Sequence, residues 1–348
     1  MKYTVRSLVL TILLVVLITS SASAQTKTVA ELANYRGADR EAMLLAGAKK
    51  EGKLVWYTSL TAHRDIANVF EARYPGIKVE TYRASSSDLT RRIMSEAQAR
   101  RNLVDLVETT PATLMFMRDN QLLMPYLSPH LGSYPDDSKE EADKGRVYWT
   151  TDRESIIGLG YNKNLIRAAD VPKSFADLLK PDNSGKIGVS GDSTGVRFIG
   201  AVIKAKGEEF VKRMSALHLK MHLISGGAMH ELLAAGEMPM SISIFRNHVL
   251  LGQSKGAPTM WVPMDLNPTN AGGVALPAAS NHPYAALLLA DFLLGPQGQK
   301  IMEEKFRFAT PTKDYGFKRW YPEKGMTLDQ YEKAEEHWKK LLREIALK

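Results

Sequence analysis

The chain has 348 residues, 24 % of them charged, with a formal net charge of +8 and no cysteine. The absence of cysteine excludes disulfide bonds, thiolate metal sites and cysteine-based catalysis. The longest basic clusters are pairs such as Arg91 and Arg92, interleaved with acids, which excludes a polybasic nucleic-acid tract. The net positive charge therefore indicates a solvated basic surface and favours anionic ligands only weakly.

The first 24 residues have the pattern of a secretory signal peptide. Lys2 and Arg6 precede an apolar run at 8–18, and residues 22–24 (ASA) form a small-residue cleavage site. The apolar run is shorter than the roughly 20 residues that span a bilayer. We therefore predict an exported, periplasmic protein that begins near Gln25. Its length of about 320 residues is sufficient for two domains.

The first half of the sequence alternates between strand and helix patterns. Short β-prone segments bounded by glycine, proline or polar turns predict strands at 53–58, 77–82 and 103–108. Apolar stripes and caps predict helices across 62–73, from 85–88 onward and from Pro111 onward. This β-α-β-α-β-α order favours a parallel sheet covered by helices.

The second half continues the alternation, which makes α/β the predicted fold class. Strands are predicted at 156–162, 186–190, 238–245 and 271–278. Helices are predicted at 195–205, around 229–233, at 283–294 and at 296–304. Thr327, with Gln330 three residues later, has the spacing of a capping box and begins an amphipathic terminal helix.

Six sequence strings resemble a known family when they are taken in order. They are EGKLVWYTSL, ARYPGIKVE, VDLVE, GLGYNKNLI, AAGEMPMSIS and LADFLLGPQGQKIMEE. Together they resemble extracellular solute-binding proteins of ABC importers, and most of all the branch that binds ferric ion, phosphonates and sugar phosphates. The resemblance covers residues 49–311. It implies a two-lobed periplasmic-binding-protein fold of type II, with two hinge strands, that closes around its ligand.

The resemblance also implies how the chain is divided and what it binds. Matching strings place the hinge strands at about 158–162 and 271–276. One lobe would then combine 25–157 with 277–348, and the other would be 163–270. The expected partners are a small-molecule ligand and an inner-membrane ABC permease. The protein is expected to be a monomer without enzymatic activity or a cofactor.

Four hydroxyl-rich loops are candidates for the ligand site. In open α/β sheets, ligands bind beyond the carboxyl ends of strands, where helix N-termini present free N–H groups. Loops after predicted strands supply the candidate ligand residues Thr58, Ser59, Ser86, Thr109, Thr194 and Gly195. Hydroxyls beside free N–H groups suit phosphate, phosphonate or carboxylate oxygens. For any single loop, ordinary helix capping is the simpler explanation, whereas four such loops converging on one cleft favour binding.

Arg246 and Asn247 mark a departure from the ferric-binding relatives. The resemblance places the adjacent iron-binding tyrosines of that branch at these two positions. A guanidinium group repels a trivalent cation, whereas its planar fork can bind two oxygens of an anion. We therefore expect Arg246 and Asn247 to contact an oxyanion. The alternative for Arg246 is a salt bridge at the surface or between the lobes.

Further candidates lie next to the expected hinge strands. Arg153 and Ser155 precede the first one, where relatives contact ligand, although an ion pair with either acidic neighbour explains Arg153 equally well. Arg197 could reach an anion at the start of its helix, or it could face solvent. Asp265 and Asn270 could contact the ligand or cap their loop.

The favoured ligand is thus a small oxyanion, with other functions left open. His63 and Glu108 fall near the places of iron ligands in the relatives and give a ferric alternative. A protein that presents its ligand to a membrane sensor is a second alternative. No zinc-protease motif is formed by His218, His222 and His230, and the sequence contains no nucleophile-elbow or P-loop motif. No motif therefore supports an enzymatic function.

Overall fold

The computed structural model describes residues 27–347, and the predicted signal peptide lies outside the described residues. The described strands are β1 Lys53–Thr58, β2 Lys78–Arg83, β3 Leu106–Thr109, β4 Leu123–Met124, β5 Lys139–Glu141, β6 Val147–Asn162, β7 Ile187–Ser190, β8 Leu219–His222, β9 Met240–Phe245, β10 Thr259–Val262, β11 Asn267–Pro277, β12 Arg319–Trp320 and β13 Ala346–Leu347. The described helices are α1 Val29–Ala33, α2 Arg40–Glu51, α3 His63–Arg73, α4 Ser86–Gln98, α5 Pro111–Asp119, α6 Phe175–Leu178, α7 Ser193–Lys206, α8 Glu208–Arg213, α9 Gly226–Ala235, α10 Arg246–Gln253, α11 Pro283–Leu294, α12 Pro296–Glu304 and α13 Leu328–Ile345. Within this part of the chain no helix is both long enough and apolar enough to cross a membrane.

The α/β prediction is confirmed, and β1, α11 and α12 have the predicted boundaries. The capping box at Thr327 is also present. The predicted strand at 156–162 proves to be the second half of β6, which has 16 residues. Its first half contains the polar run Thr150–Ser155, which is buried in the structure but has no apolar pattern to signal a strand.

Two long antiparallel strands lie between two groups of parallel strands. The sheet order is β13-β8-β7-β9-β6-β11-β3-β1-β2. Strands β1, β2 and β3 are parallel to one another, as are β7, β8 and β9. Strands β6 and β11 are antiparallel to each other and to their outer neighbours. The predicted parallel sheet is therefore correct for each group, but not for the central pair.

Strand pairing indicates where the chain passes between the two groups. From Ile157 onward, β6 pairs with β9 and β10. From Gly273 onward, β11 pairs with β3. The hinge segments expected at 158–162 and 271–276 therefore lie mostly inside the two groups. We propose instead that the crossing occurs at about 154–157 and 269–272.

The terminal helix α13 packs against the second group of strands. It contacts α7 and α8, and β13 extends the sheet beside β8. The ring of Trp338 lies 2.8 Å from the position that a Cβ atom on Gly200 of α7 would occupy. The resemblance predicts this segment in the first lobe, whereas from its contacts we propose that 328–347 belongs with the second. The amphipathic pattern predicts a helix with one buried face, but it does not specify which partner covers that face.

A β-bulge in β6 places a carboxyl group in the protein interior. Gly272 pairs with Arg153 and Gly273 with Thr151, so Asp152 is left without a partner in β11. Asp152 is fully buried, and its carboxylate oxygens have no hydrogen-bond partner among the described residues. Burial raises the pKa of Asp152 well above its ordinary value, the charge of Glu108 raises it further, and Arg153 opposes both. Burial without a hydrogen-bond partner therefore favours the neutral, protonated form of this carboxyl group.

Replacing Gly200 with alanine should destabilise the protein, although alanine normally favours a helix over glycine. The added methyl group would meet the rigid indole of Trp338 at 2.8 Å, and overpacking of this kind costs about 1–3 kcal/mol. Urea denaturation measures the change. Gly227→Ala, in α9, is the control because the nearest atom to its new methyl group would be 3.4 Å away. Unchanged or increased stability of Gly200→Ala would show that α13 does not pack as described.

Asp152→Asn should change how stability depends on pH. A raised pKa in the folded state means that wild-type stability falls as pH rises from about 4 towards that folded pKa. Across this window the variant should gain about 1.4 kcal/mol per pH unit relative to wild type. Urea denaturation at a series of pH values measures the difference. Asp182→Asn, at an exposed position, is the control. Parallel curves for wild type and Asp152→Asn would contradict the prediction.

Candidate functional site

The carboxyl ends of the two parallel groups point towards each other. Strand β6 runs from the first group into the second. Strand β3 is antiparallel to β11 and therefore has the same direction as β6. The carboxyl ends of the strands in the first group thus point towards the second group. Strand β9 is antiparallel to β6, so the carboxyl ends of the strands in the second group point towards the first group. The loops after both sets of strands therefore face the crossing of β6 and β11, and we call this region the candidate site.

Glu108 is at the centre of the hydrogen bonds on the first side of the site. It is fully buried at the end of β3 and accepts hydrogen bonds from the hydroxyl of Thr58 and from Nε of Arg153, the latter at 3.0 Å. Arg153 also donates to Oγ of Ser59 at 3.2 Å. The structure thus brings together the predicted residues Thr58, Ser59 and Arg153. The partner of Arg153 is Glu108, not its sequence neighbours Asp152 and Glu154.

Gly272 makes room for the ion pair between Glu108 and Arg153. A Cβ atom at this position would lie 2.2 Å from Oε1 of Glu108 and 2.8 Å from Cζ of Arg153. The glycine of β11 therefore allows the two charged side chains to pack against the backbone. The opposite charges of the pair are in direct contact and nearly cancel, so Arg153 contributes hydrogen-bonding capacity to the site with little net charge.

Ser86 and Thr109 connect two neighbouring loops on the same side. Thr109, buried at the end of β3, donates a hydrogen bond to Oγ of Ser86 at 3.1 Å. Helix α4 is capped by Ser85, whose hydroxyl accepts from the backbone N–H of Asp88. Capping therefore accounts for Ser85 and not for Ser86, which is only half-buried.

The second side of the site contains the N-termini of α7, α9 and α10. Asp192 caps α7 by accepting from the backbone N–H of Thr194 at 2.8 Å. A Cβ atom on Gly226, at the start of α9, would lie within 3.0 Å of both Thr194 and Phe245. Gly195 has a structural reason to be glycine, since a Cβ atom there would lie 1.9 Å from the backbone oxygen of Ser190.

Arg246 is the first residue of α10 and has no polar partner in the described chain. Its side chain is half-buried and forms no hydrogen bond or salt bridge with another residue of the 27–347 segment. Its guanidinium lies over the ring of Tyr315, with Cζ 4.7 Å from the ring centre. Burial lowers the pKa of Arg246, and electrostatic interactions with Tyr315 and Glu303 oppose this shift, but arginine stays cationic in proteins. The neighbouring Asn247 is buried, and its Oδ1 also lacks a partner.

Sequence analysis missed the segment 305–320, which lies against both sides of the site. Phe308 is beneath the guanidinium of Arg153, 5.3 Å from ring centre to Cζ, and Tyr315 supports Arg246. Ala309 forms a bridge with Glu154 of β6. The signal was an unusual density of aromatic and basic residues in this stretch, FRFATPTKDYGFKRW. Without a strand or helix pattern, the sequence did not show where that stretch packs.

The remaining candidates mostly have structural partners. Arg197 is buried and donates to the backbone oxygen of Thr269 and to Oδ1 of Asn270, so it does not face solvent. Asp265 forms a salt bridge with Lys206. Ser155 is buried in β6, where it pairs with Asn270 of β11 at the proposed crossing.

Glu154 adds a second buried ion pair near the crossing. Arg319 donates to its Oε2 at 2.7 Å, and the hydroxyl of Tyr321 donates to its Oε1. Burial raises the pKa of Glu154, while the charge of Arg319 lowers it. Both carboxylate oxygens are therefore occupied, and Glu154 helps to fix the 305–320 segment in place.

The residues of the ferric alternative are present but do not form a complete set of ligands. Burial and the nearby Arg64 and Arg83 lower the pKa of His63, and its buried Nδ1 has no partner among the described residues. Both oxygens of Glu108 already accept hydrogen bonds. Between residues 27 and 347, no three or more histidine, aspartate and glutamate side chains are grouped so that they could hold a metal ion.

Solved structures with the same fold bind chemically different ligands. Iron-bound HitA from Pseudomonas aeruginosa is 23 % identical, with 85 % of this chain and 99 % of HitA covered and a TM-score of 0.66. AfuA from Actinobacillus pleuropneumoniae, with fructose-6-phosphate bound, is 20 % identical over 84 % of this chain and 97 % of AfuA, with a TM-score of 0.61. The spermidine/putrescine-binding PotD from Streptococcus pneumoniae is 15 % identical over 83 % of this chain and 99 % of PotD, with a TM-score of 0.64. At these identities the likeness shows a shared two-lobed fold and not a shared ligand.

The sequence comparison gives the family directly. No curated protein matches the chain significantly. The family model of the bacterial extracellular solute-binding proteins matches residues 65–324, which is most of the chain. The order of strands, the two central crossing strands and this match agree with one another. The chain belongs to the bacterial extracellular solute-binding proteins.

Proposed function

We propose that this protein is the periplasmic solute-binding component of an ABC importer and that its ligand is a small oxyanion. Family membership supports the capture of a solute. The signal-peptide pattern at residues 1–24 supports export. The ligand class is argued below from the side chains of the candidate site.

The observation that supports the oxyanion proposal most directly is that Arg246 has no acidic partner among the described residues. Other arginines near the site, such as Arg153 and Arg319, are paired with buried glutamates. Arg246 has no such partner in the described chain, and its guanidinium lies over the ring of Tyr315. A stacked guanidinium keeps the N–H groups on its edge available, and these can bind two oxygens of one anion.

The surrounding groups suit the same chemistry. Arg246 begins α10, so free backbone N–H groups and the positive end of the helix dipole lie beside it. Across the crossing, the first side offers hydroxyls on Ser59, Ser86 and Thr109, none of which is charged. A ligand with two or more negative oxygens could therefore contact both sides at once.

The proposed ligand residues are those that the sequence predicts, apart from Gly195. They are Thr58, Ser59, Ser86, Thr109, Arg153, Ser155, Thr194, Arg246 and Asn247. Gly195 we now assign to packing against β7. We propose that ligand binding favours closure of the two halves, because only the closed form lets one anion contact both sides.

A cationic ligand is disfavoured at this site by the unpaired charge of Arg246. The ferric alternative through His63 and Glu108 would require breaking the bonds of Glu108 to Thr58 and Arg153, or an accompanying anion on Arg246. Presentation of the ligand to a membrane sensor instead of a permease stays an alternative for the partner, and a pull-down of the membrane protein would separate the two.

Arg246→Ala should weaken ligand binding strongly. Loss of one partner from a charge-assisted hydrogen-bonded pair costs about 2–5 kcal/mol, so the dissociation constant should rise by about 30-fold or more. Ligands are first identified by native mass spectrometry of gently purified protein and a thermal-shift panel of methylphosphonate, fructose-6-phosphate, succinate and ferric citrate. Calorimetric titration of wild type and variant then measures the ratio.

Arg213→Ala is the matched control, since Arg213 is exposed on α8 and stacks on Phe210 at 5.6 Å. It removes an arginine–aromatic contact outside the site and should leave the affinity unchanged. The melting temperature of ligand-free Arg246→Ala should stay close to that of wild type. An anion that binds Arg246→Ala as tightly as wild type would refute the proposal, as would a ferric salt that binds in the absence of any anion.

A further inference from the structure

Three aromatic side chains form a continuous row that ends at Arg246. Trp261 of β10 contacts Phe317, with ring centres 5.2 Å apart. Phe317 stacks on Tyr315, with ring centres 6.0 Å apart and ring planes inclined by 24°. Tyr315 lies beneath the guanidinium of Arg246. All three rings are only half-buried, so part of each remains accessible.

Both ends of this aromatic row are fixed by hydrogen bonds. The indole N–H of Trp261 donates to the backbone oxygen of Ile244 at 3.2 Å, two residues before Arg246. The indole also covers Gly158 of β6, where a Cβ atom would lie 2.6 Å from the ring. At the other end, the hydroxyl of Tyr315 accepts from the backbone N–H of Thr310 at 3.1 Å and donates to Glu303 at 3.3 Å.

Three cationic side chains lie near the ring of Tyr315, and among the described residues Arg246 is the one of the three without a salt bridge. Arg319 lies 5.9 Å and Lys313 5.4 Å from the ring centre of Tyr315, but each forms a salt bridge, Arg319 with Glu154 and Lys313 with Glu303. The row therefore combines one available cation at its end with a surface of aromatic rings. A ligand that matches both has an anionic group at one end and a flat ring at the other.

We infer that the ligand of this protein is an aromatic oxyanion, in which a planar ring bears a phosphonate, phosphate or carboxylate group. This inference rests on the proposed function, because it assigns the anionic group to Arg246. The ring then packs against Phe317 and Trp261, and aromatic pairs favour stacked or edge-to-face contacts beyond the gain from buried area. A compact anion such as phosphate would leave these rings unused.

Matched ligands that differ only in the group attached to the anion test this inference. Calorimetric titrations compare methylphosphonate, cyclohexylphosphonate and phenylphosphonate, and in parallel acetate, cyclohexanecarboxylate and benzoate. The phenyl compound should bind about tenfold more tightly than the methyl compound of its series, and more tightly than the cyclohexyl compound. The cyclohexyl compounds separate aromatic stacking from the burial of apolar area.

Phe317→Leu provides the second readout, since leucine preserves an apolar side chain but removes the ring. It should reduce the phenyl-to-methyl affinity ratio by at least about threefold. Phe210→Leu is the control, because the ring of Phe210 contacts the guanidinium of Arg213 outside the site. This variant should have the same phenyl-to-methyl affinity ratio as wild type.

The outcomes distinguish this inference from the proposed function. A phenyl preference that Phe317→Leu reduces and Phe210→Leu does not supports the aromatic class. Equal binding of phenyl and methyl compounds, still dependent on Arg246, overturns the aromatic class and leaves the oxyanion proposal standing. Binding of these anions that does not depend on Arg246, or no binding in either series, overturns the assignment of the ring and the anion to this row.

Discussion

The architecture depends on the antiparallel pairing of β6 with β11. These strands pair from Trp149 and Ala275 to Ile156 and Thr269, and each then continues into a different parallel group. Their directions make the carboxyl ends of both groups face each other. That arrangement brings the hydroxyl-rich loops of one group opposite the helix N-termini of the other. Ligands bind at this place in open α/β sheets, beyond the carboxyl ends of the parallel strands.

The same pair of strands buries several ionisable side chains. Asp152, Arg153 and Glu154 are consecutive in β6, and all three are buried. Removing charges from water is costly, and a buried ion pair recovers that cost only with good geometry and further hydrogen bonds. Arg153 meets these conditions through Glu108 and Ser59, and Glu154 through Arg319 and Tyr321, which leaves the bulged Asp152 as the costly group. The buried pairs therefore contribute more to positioning than to stability. In the proposed function, their near neutrality leaves the charge of Arg246 to select an anionic ligand.

Much of the fold, but less of the site, could be predicted from the sequence. Strand β1 and helices α11 and α12 were predicted with their boundaries because periodicity and punctuation are local signals. The first half of β6 was missed because a buried polar run contradicts the apolar pattern of a strand. The partner of Arg153 is 45 residues away and could not be inferred from neighbours. The order of strands and loops predicted hydroxyls at the ends of neighbouring strands, and Thr109 does contact Ser86, but the packing of Tyr315 on Arg246 depends on tertiary structure alone.

The 305–320 segment links Arg246, the residue proposed to bind the anion, to the crossing strands. Ala309 pairs with Glu154 of β6, and Arg319 begins β12, which pairs with β11. Tyr315 lies between these anchors and supports Arg246 of the second half. In the proposed mechanism, an anion that pulls on Arg246 therefore acts on a segment attached to both central strands. A ligand can shift a conformational equilibrium only through contacts that differ between its two states, and the contact of Arg246 with Tyr315 is one that closure must either preserve or exchange for the ligand.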